Sequence, residues 1–182
     1  MIANRKLRGI RHSLERFHVD SVAGIKAVDE AWPYLSHEDR NIRYAARIAI
    51  ENQPLETWKD RVFEETDPRA AIYACIALCR HGNPAISDRV IDKLSGISFD
   101  TLAHDDRLAL LRAYSLCFIR FGKPSEDQAG KMIAKLDPSY PADNDIENAE
   151  LCRVLSYVDA PTVVGKTIAL MKATKSEAVA YD

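Results

Sequence analysis

Apolar residues recur at helical spacing along nearly the whole chain, and they predict helices of two kinds. Helices of the first kind are apolar on one face only, as where Ile86, Val90 and Leu94 alternate with charged residues. Helices of the second kind are apolar almost all round, as in the run from Ala70 to Cys79. A helix of the second kind must be covered on most sides. Stacked helical hairpins achieve this, because the preceding and following hairpins flank each inner helix.

Turn residues divide this pattern into units of similar length. Asp67-Pro68 fits a helix N-cap followed by proline in the first turn, and Gly82-Asn83-Pro84 fits a helix end followed at once by a new start. Gly122-Lys123-Pro124 repeats that device about 40 residues later, and Pro161 marks a weaker copy. No stretch alternates as a strand does. The predicted elements are a basic helix at about 4–17, hairpins at about 22–51 (helices 22–34 and 39–51), 55–81 (55–65 and 68–81), 85–121 (85–95 and 105–121) and 125–158 (125–136 and 145–158), and an unfinished hairpin from about 161.

These features predict an all-α fold, a right-handed α-solenoid of hairpins forming one continuous domain over 1–182. The segment 36–50 resembles the inner helix of a HEAT repeat, with the turn aspartate Asp39, then Ile42-Arg43, then alanines at helical spacing. That resemblance implies an α-α superhelix whose inner helices line the concave face. The third hairpin lacks the Val/Ile-Arg pair after its turn aspartates, so it departs from the repeat pattern. The residues predicted to form repeat turns and caps are Asp39, Asp67, Pro68, Gly82, Pro84, Asp106, Gly122, Pro124 and Pro161.

A second resemblance rests on segments spread over the chain, including 5–8, 31–35, 65–70 and 150–155. They are similar to the helical-repeat segment of very large planctomycete proteins, in which a sorbosone-dehydrogenase-like β-propeller precedes the repeats and a haem-binding domain follows. The resemblance implies that this chain is a scaffold within a larger, exported or envelope-associated parent. The sequence holds no Cys-x-x-Cys-His motif for covalent haem attachment, so we do not expect this piece to carry the parent's chemistry.

Charge and hydropathy narrow the classes of partner. The chain has 25 Lys plus Arg and 27 Asp plus Glu, a formal net charge of −2. This near-balance disfavours a nucleic-acid coat or a binder of anionic membranes. No apolar run approaches the roughly 18 residues of a membrane span, and the first residues lack the apolar core of a secretory signal, which leaves the compartment open. The acids between 137 and 150 are interpreted as solvated turns and helix N-termini.

The sequence offers no residue set that predicts catalysis or a cofactor. His37-Glu38 is a single dyad, whereas the helical-repeat hydroxylase of deoxyhypusine builds its di-iron site from several. Cys75 and Cys79 share a helical face and lie near His81, but four ligands or three plus water are needed for zinc, so packed core thiols are the favoured interpretation. Buried, reduced thiols are likewise predicted at Cys117 and Cys152. We therefore expect no enzyme activity, no metal and no cofactor.

Arginines and tyrosines on the inner helices are the feature with binding potential, because solenoids usually bind partners on the concave face and these residue types are enriched in binding hot spots. The alternative is internal pairing, of Arg43 with Asp39 and of Arg69 with Glu65 or Asp67. The predicted function is a non-enzymatic protein-interaction or domain-spacing scaffold. A nucleic-acid-binding helical-repeat module and an accessory domain of an exported haem- or quinone-type dehydrogenase stay open as alternatives. The predicted partner-binding residues are Arg43, Tyr44, Arg47, Arg69, Tyr73, Arg112, Tyr114, Arg153 and Tyr157.

Overall fold

The computed structural model describes residues 2–19 and 23–173, and all regular structure in those ranges is helical, which confirms the all-α class. Single 3-10 turns at Arg16–His18, Trp32–Ser36, Leu55–Thr57, Pro84–Ile86 and Asp137–Ser139 lie between α-helices. The α-helices are α1 (Ile2–Glu15), α2 (Ile25–Ala31), α3 (Arg40–Glu51), α4 (Arg61–Glu64), α5 (Pro68–His81), α6 (Ser87–Ser95), α7 (His104–Phe121), α8 (Glu126–Leu136), α9 (Asp145–Tyr157) and α10 (Val163–Ala173).

The second helix of each predicted hairpin begins and ends close to its predicted bounds, but the first helices of the first two hairpins differ. The helix predicted over 22–34 begins at Ile25 and gives way to a 3-10 turn that contains Pro33, which has no N–H to continue the helix; position 22 lies outside the described residues. The helix predicted over 55–65 is broken at Trp58, whose φ is −143°. The side chain of Trp58 is buried and its indole N–H donates to the carbonyl of Gln53, so burying this large ring takes the backbone out of helical geometry.

Aspartate caps begin the helices α3 and α5. The Asp39 carboxylate accepts hydrogen bonds from the backbone N–H groups of Asn41 and Ile42, at 2.8 and 3.3 Å, where α3 begins. The Asn41 bond is the largest reason why the pKa of Asp39 lies below its usual value. Asp67 accepts from Ala70 N at 2.8 Å where α5 begins, and Pro68 follows it as the first helical residue. Turn chemistry therefore fixes where both helices start.

The later turns combine predicted and unexpected residues. Gly82 ends α5 with a φ of 67°, and Gly122 ends α7 with a φ of 87°. Pro84 opens a 3-10 turn, whereas Pro124 and Pro161 precede α8 and α10. The prediction that Asp106 forms the turn before α7 is wrong in detail. The N-cap residue is Ala103, and Asp106 is buried within the first turn of α7.

The chain divides into two compact units, Met1–Asn83 and Pro84–Asp182. In the first unit α1 and α2 both pack on α3, α3 packs on α5, and the short α4 packs on α5. The core contains tryptophan and branched aliphatic side chains between these helices, among them Trp32, Ile42, Ile50, Val62, Ile72 and Leu78.

The second unit is built from two helical hairpins, α6 with α7 and α8 with α9. The first helices of the two hairpins, α6 and α8, touch each other, and so do the second helices, α7 and α9. Helix α10 then packs on α9. The contacts between α7 and α9 place these two helices side by side.

Candidate functional site

An open groove lies between α7 and α9 in the second unit. Its volume is about 550 Å³, within the roughly 300–1,000 Å³ typical of pockets that take a ligand or a partner's side chains. Both helices contribute equally to it, since residues from successive turns of each face the space between them. The groove is lined by Ser115, Phe118 and Ile119 from α7 and by Arg153, Ser156 and Tyr157 from α9.

A row of stacked aromatic rings forms the floor of this groove. The rings of Tyr114 and Phe118, one helical turn apart on α7, have centroids 6.5 Å apart. The ring of Phe118 lies 4.4 Å from that of Tyr157 on α9, with an angle of 11° between the planes. Tyr114 is completely buried, Phe118 nearly so, and Tyr157 is 42 % exposed. The row therefore runs from the core of the unit to its surface.

Apolar surface is exposed at the edge of the groove. Ile119 lies at its edge with 78 % of its surface in solvent, beside the exposed part of Tyr157. An isolated exposed hydrophobic residue needs no explanation, but one beside an open aromatic groove forms a continuous apolar patch, and such patches mark interaction sites.

One carboxylate serves both arginines on this face. Oε1 of Glu150 lies 3.1 Å from a guanidinium nitrogen of Arg153 and 3.7 Å from Nε of Arg112. The side chains of Arg112 and Arg153 are 63 % and 49 % exposed, whereas that of Glu150 is only 13 % exposed. These three residues together carry a net charge of +1, and most of the exposed surface among them is cationic.

A buried ionic cluster near the start of α7 holds that helix against α9. The two carboxylate oxygens of Glu147 accept from His104 Nδ1 at 2.9 Å and from Arg107 at 3.0 Å. Glu147 is almost completely buried, so the interpretation of this acid as a solvated one is wrong. Its partners lie about 40 residues away, which explains why no local pattern marks the cluster. The cluster joins the first turns of the two helices that form the groove.

A partly buried lysine contacts the buried end of the aromatic row. The ammonium group of Lys135 on α8 donates to the carbonyls of Leu94 and Ser95 at the end of α6, at 3.0 and 3.3 Å, and to the Tyr114 hydroxyl at 3.3 Å. The carbonyls are the negative end of the α6 dipole and suit a cation. Burial nevertheless lowers the pKa of Lys135 to about 8. Sequence reasoning missed this residue, because an amphipathic helix such as α8 gives no sign of which lysine is covered.

In the first unit, the predicted arginine Arg43 is buried and closes a turn. Its guanidinium donates to the carbonyls of His37 and Glu38, at 2.7 and 2.8 Å, and lies 5.1 Å from the ring centre of Tyr73. The internal pairing considered from the sequence joined Arg43 to Asp39, whereas the acceptors that the structure gives its guanidinium are the backbone carbonyls of His37 and Glu38. Through these hydrogen bonds Arg43 stabilises the turn that leads into α3.

The remaining predicted residues of the first unit are also engaged internally. Arg47 is buried against Glu51, which also accepts from Arg80 Nε at 2.9 Å. The Arg47 guanidinium lies 5.2 Å from the ring centre of Tyr44, which is itself exposed. Arg69 reaches the Ser36 carbonyl at 3.4 Å. Of the predicted partner-binding residues in this unit, these contacts leave mainly the tyrosines, Tyr44 exposed and Tyr73 half-buried, to meet a partner.

The cysteines and other metal-ligating groups do not form a cluster in the described ranges. Cys75, Cys79 and Cys117 are buried and Cys152 is half-buried, all as reduced thiols. Among the side chains of residues the structure describes, no three His, Cys, Asp or Glu residues come together as a metal site would require. Within the same residues, no helix has the length and apolar character needed to cross a bilayer.

No protein-family model, curated protein sequence or solved structure matches this chain. Its function is therefore inferred from the physical properties of its surfaces. Among the predicted partner-binding residues, Arg112, Arg153 and Tyr157 meet around the α7–α9 groove, and Tyr114 lies beneath it in the core.

Proposed function

We propose that this protein is a non-enzymatic scaffold of HEAT-like hairpins, arranged as a right-handed solenoid, and that it binds a protein partner through the α7–α9 groove. The observation that carries the proposal is the open aromatic groove itself, with Phe118 and Tyr157 as its floor and Ile119 exposed at its edge. Covering this patch with a partner's apolar side chains removes it from water, which is the main driving force of association.

The composition of the groove favours a protein over a nucleic acid as the partner. Nucleic-acid sites carry many cations that neutralise phosphates. Here Arg153 lines the groove and shares Glu150 with the adjacent Arg112, and the other lining residues are aromatic, aliphatic or hydroxyl-bearing. Tyrosine and arginine around an apolar centre match the composition of protein-binding hot spots.

The packing of like helices within the second unit, α6 with α8 and α7 with α9, supports the solenoid part of the proposal. The aspartate caps of α3 and α5 support the repeat interpretation in the first unit. In such an array the second helices of successive hairpins form one face, so a partner that enters the α7–α9 groove would lie on the face that solenoids use for binding.

Site-specific photocrosslinking tests this function. A benzoylphenylalanine replaces Ser156, which is exposed in the groove, and in a matched control it replaces Ala134, which is exposed on α8. We expect a discrete protein adduct from position 156 and none from 134. Ile119→Asp in the position-156 background should abolish the adduct while leaving the circular dichroism spectrum unchanged. Equal adducts from both positions, or an adduct that survives Ile119→Asp, would refute binding in the groove.

A further inference from the structure

We infer that the α7–α9 groove selects an acidic amphipathic helix, and that Glu150 is a built-in competitor that occupies Arg112 and Arg153 until the partner's carboxylates replace it. This inference rests on the proposed function and specifies the chemistry of the partner. It follows from three properties of the groove, namely its apolar floor, its charge and its two-helix walls.

Because the floor of the groove is apolar, a partner must bind it with hydrophobic side chains. The exposed edge of Tyr157 and the side chain of Ile119 flank an opening of about 550 Å³, with Phe118 stacked beneath. A space of this size takes one or two large side chains such as leucine or phenylalanine. Anchors of this kind, surrounded by a polar rim, supply most of the binding energy in protein interfaces.

The positive charge at the edge of the groove favours a partner that carries negative charge. Arg153 contacts Glu150 at hydrogen-bonding distance, but Arg112 lies 3.7 Å from the same oxygen, beyond a good hydrogen bond. A carboxylate can be held by a whole guanidinium through two parallel hydrogen bonds. Arg112, whose side chain is 63 % exposed and too far from Glu150 for a good hydrogen bond, therefore favours a carboxylate from a partner.

The walls of the groove set the partner's secondary structure. An extended peptide gains affinity by pairing its backbone with an exposed sheet edge, but α7 and α9 are helices whose backbone groups bond within each helix. A groove between two helices instead accepts a third helix, whose apolar side chains at positions i, i+3, i+4 and i+7 enter it. Glutamates beside those positions would then reach Arg112 and Arg153.

Fluorescence polarisation with designed peptides tests the inference on the full chain. The probe is a fluorescein-labelled 14-residue peptide with leucine at i, i+3, i+4 and i+7 and glutamate at the other rim positions. The comparison peptide has lysine in place of each glutamate. We expect the acidic peptide to bind about tenfold more tightly in low salt, with the preference weakening as salt rises. Arg153→Glu and Arg112→Glu should each reduce or reverse that preference.

The Glu150→Gln variant gives the sharpest readout. If Glu150 competes for the arginines, its removal should tighten binding of the acidic peptide by about three- to tenfold, the range expected for an ion pair at the protein surface. Glu126→Gln, which makes the same charge change on α8 outside the groove lining, should leave the affinity unchanged. A purely structural Glu150 would give no gain over this control.

Three results would overturn the inference. Equal affinity for the acidic and lysine peptides, or no gain from Glu150→Gln, would refute the charge selection while leaving an apolar docking groove intact. Tighter binding of a 14-base-pair DNA duplex than of the acidic peptide would assign the arginines to phosphate. Failure of both peptides to bind at millimolar concentration would refute a helical partner, whereas crosslinking from position 156 tests the proposed function separately.

Discussion

The indole N–H of Trp32 donates to Oε2 of Glu65 over 2.6 Å, which joins the turn before α3 to the turn before α5. The other oxygen of Glu65 accepts from the backbone N–H groups of Thr66 and Asp67, each at 2.8 Å. The guanidinium of Arg61 lies 4.5 Å from the ring centre of Trp32. One carboxylate thus links two successive hairpins whose turns are 33 residues apart.

Trp32→Phe should destabilise the first unit. The substitution keeps an aromatic ring in the core but removes the donor to Glu65, and a hydrogen bond to a charged acceptor contributes about 1.5–3 kcal/mol. Urea unfolding at pH 7, followed by circular dichroism, measures the loss. Tyr34→Phe, which also removes a polar group from an aromatic side chain in the same 3-10 turn, is the control; an equal loss in both variants would contradict the assignment.

The Glu65 carboxylate should make stability sensitive to acid. Burial raises the pKa of Glu65, but the hydrogen bonds from Trp32 and from the backbone of Asp67 and Thr66 outweigh it, so the net pKa lies below the ordinary 4.5. The stabilisation is therefore present above pH 4.5 and is lost as pH falls through the lowered folded-state pKa. Glu65→Gln should show a shallower fall of unfolding free energy between about pH 5 and 3. Parallel curves for the two proteins would refute this role.

Lys135 should make stability depend on pH at the alkaline end, with the same sign as Glu65. Its pKa is about 8 in the folded protein against 10.5 for an ordinary lysine, so above pH 8 the unfolded chain binds more protons than the folded one. Stability contributed by this group therefore rises with pH. The unfolding free energy of the wild type, relative to Lys135→Met, should increase between about pH 8 and 9.5. Lys131→Met, on the exposed side of α8, should show no such difference.

Two glycine substitutions separate backbone conformation from packing. A Cβ atom at Gly82 or at Gly130 would meet nothing within 4 Å, so neither alanine variant is sterically excluded. Gly82 ends α5 with a φ of 67°, where alanine costs about 1–2 kcal/mol, whereas Gly130 lies inside α8, where alanine gains about 0.5–1 kcal/mol. Thermal unfolding should show a lower midpoint for Gly82→Ala and a higher one for Gly130→Ala. Shifts of the same sign would contradict the helix ends described above.

A charge placed between α3 and α5 tests the packing of the first unit. Ala74 on α5 is completely buried, so Ala74→Glu forces an unpaired carboxylate into the core and should destabilise the unit by about 4 kcal/mol or more. Ala134→Glu, at an exposed position on α8, should change stability by less than about 0.5 kcal/mol. An unchanged cooperative thermal transition in Ala74→Glu would refute the assignment of α5 as an inner helix.

Local sequence signals predicted the helices well where the turn chemistry is local. Asp39, Pro68 and Gly82 act within a few residues of themselves, so their effect on α3 and α5 can be read directly from the sequence. The break at Trp58 could not be predicted, because it depends on where the unit buries a large ring. Helix propensity alone favours a continuous segment there.

The candidate site was only partly predictable for the same reason. Arg153 and Tyr157 follow from the prediction that α9 is the second helix of its hairpin, but Arg43 shares that pattern and is buried against turn carbonyls. The spacing of residues along the sequence shows which of them share a face of a helix. It does not show which other parts of the protein cover that face. The apolar member of the groove, Ile119, was missed because an exposed isoleucine has the same sequence signature as a buried one.

The buried thiols allow the rate at which each unit opens to be measured separately. Cys75 and Cys79 are shut inside the first unit and Cys117 inside the second, so an aqueous disulfide reagent can reach them only when the surrounding helices open. Cys152, which is half-buried, should react ahead of them. The labelling rates of the slower thiols, resolved by mass spectrometry of the two halves, therefore report the opening frequency of each unit without any engineered probe.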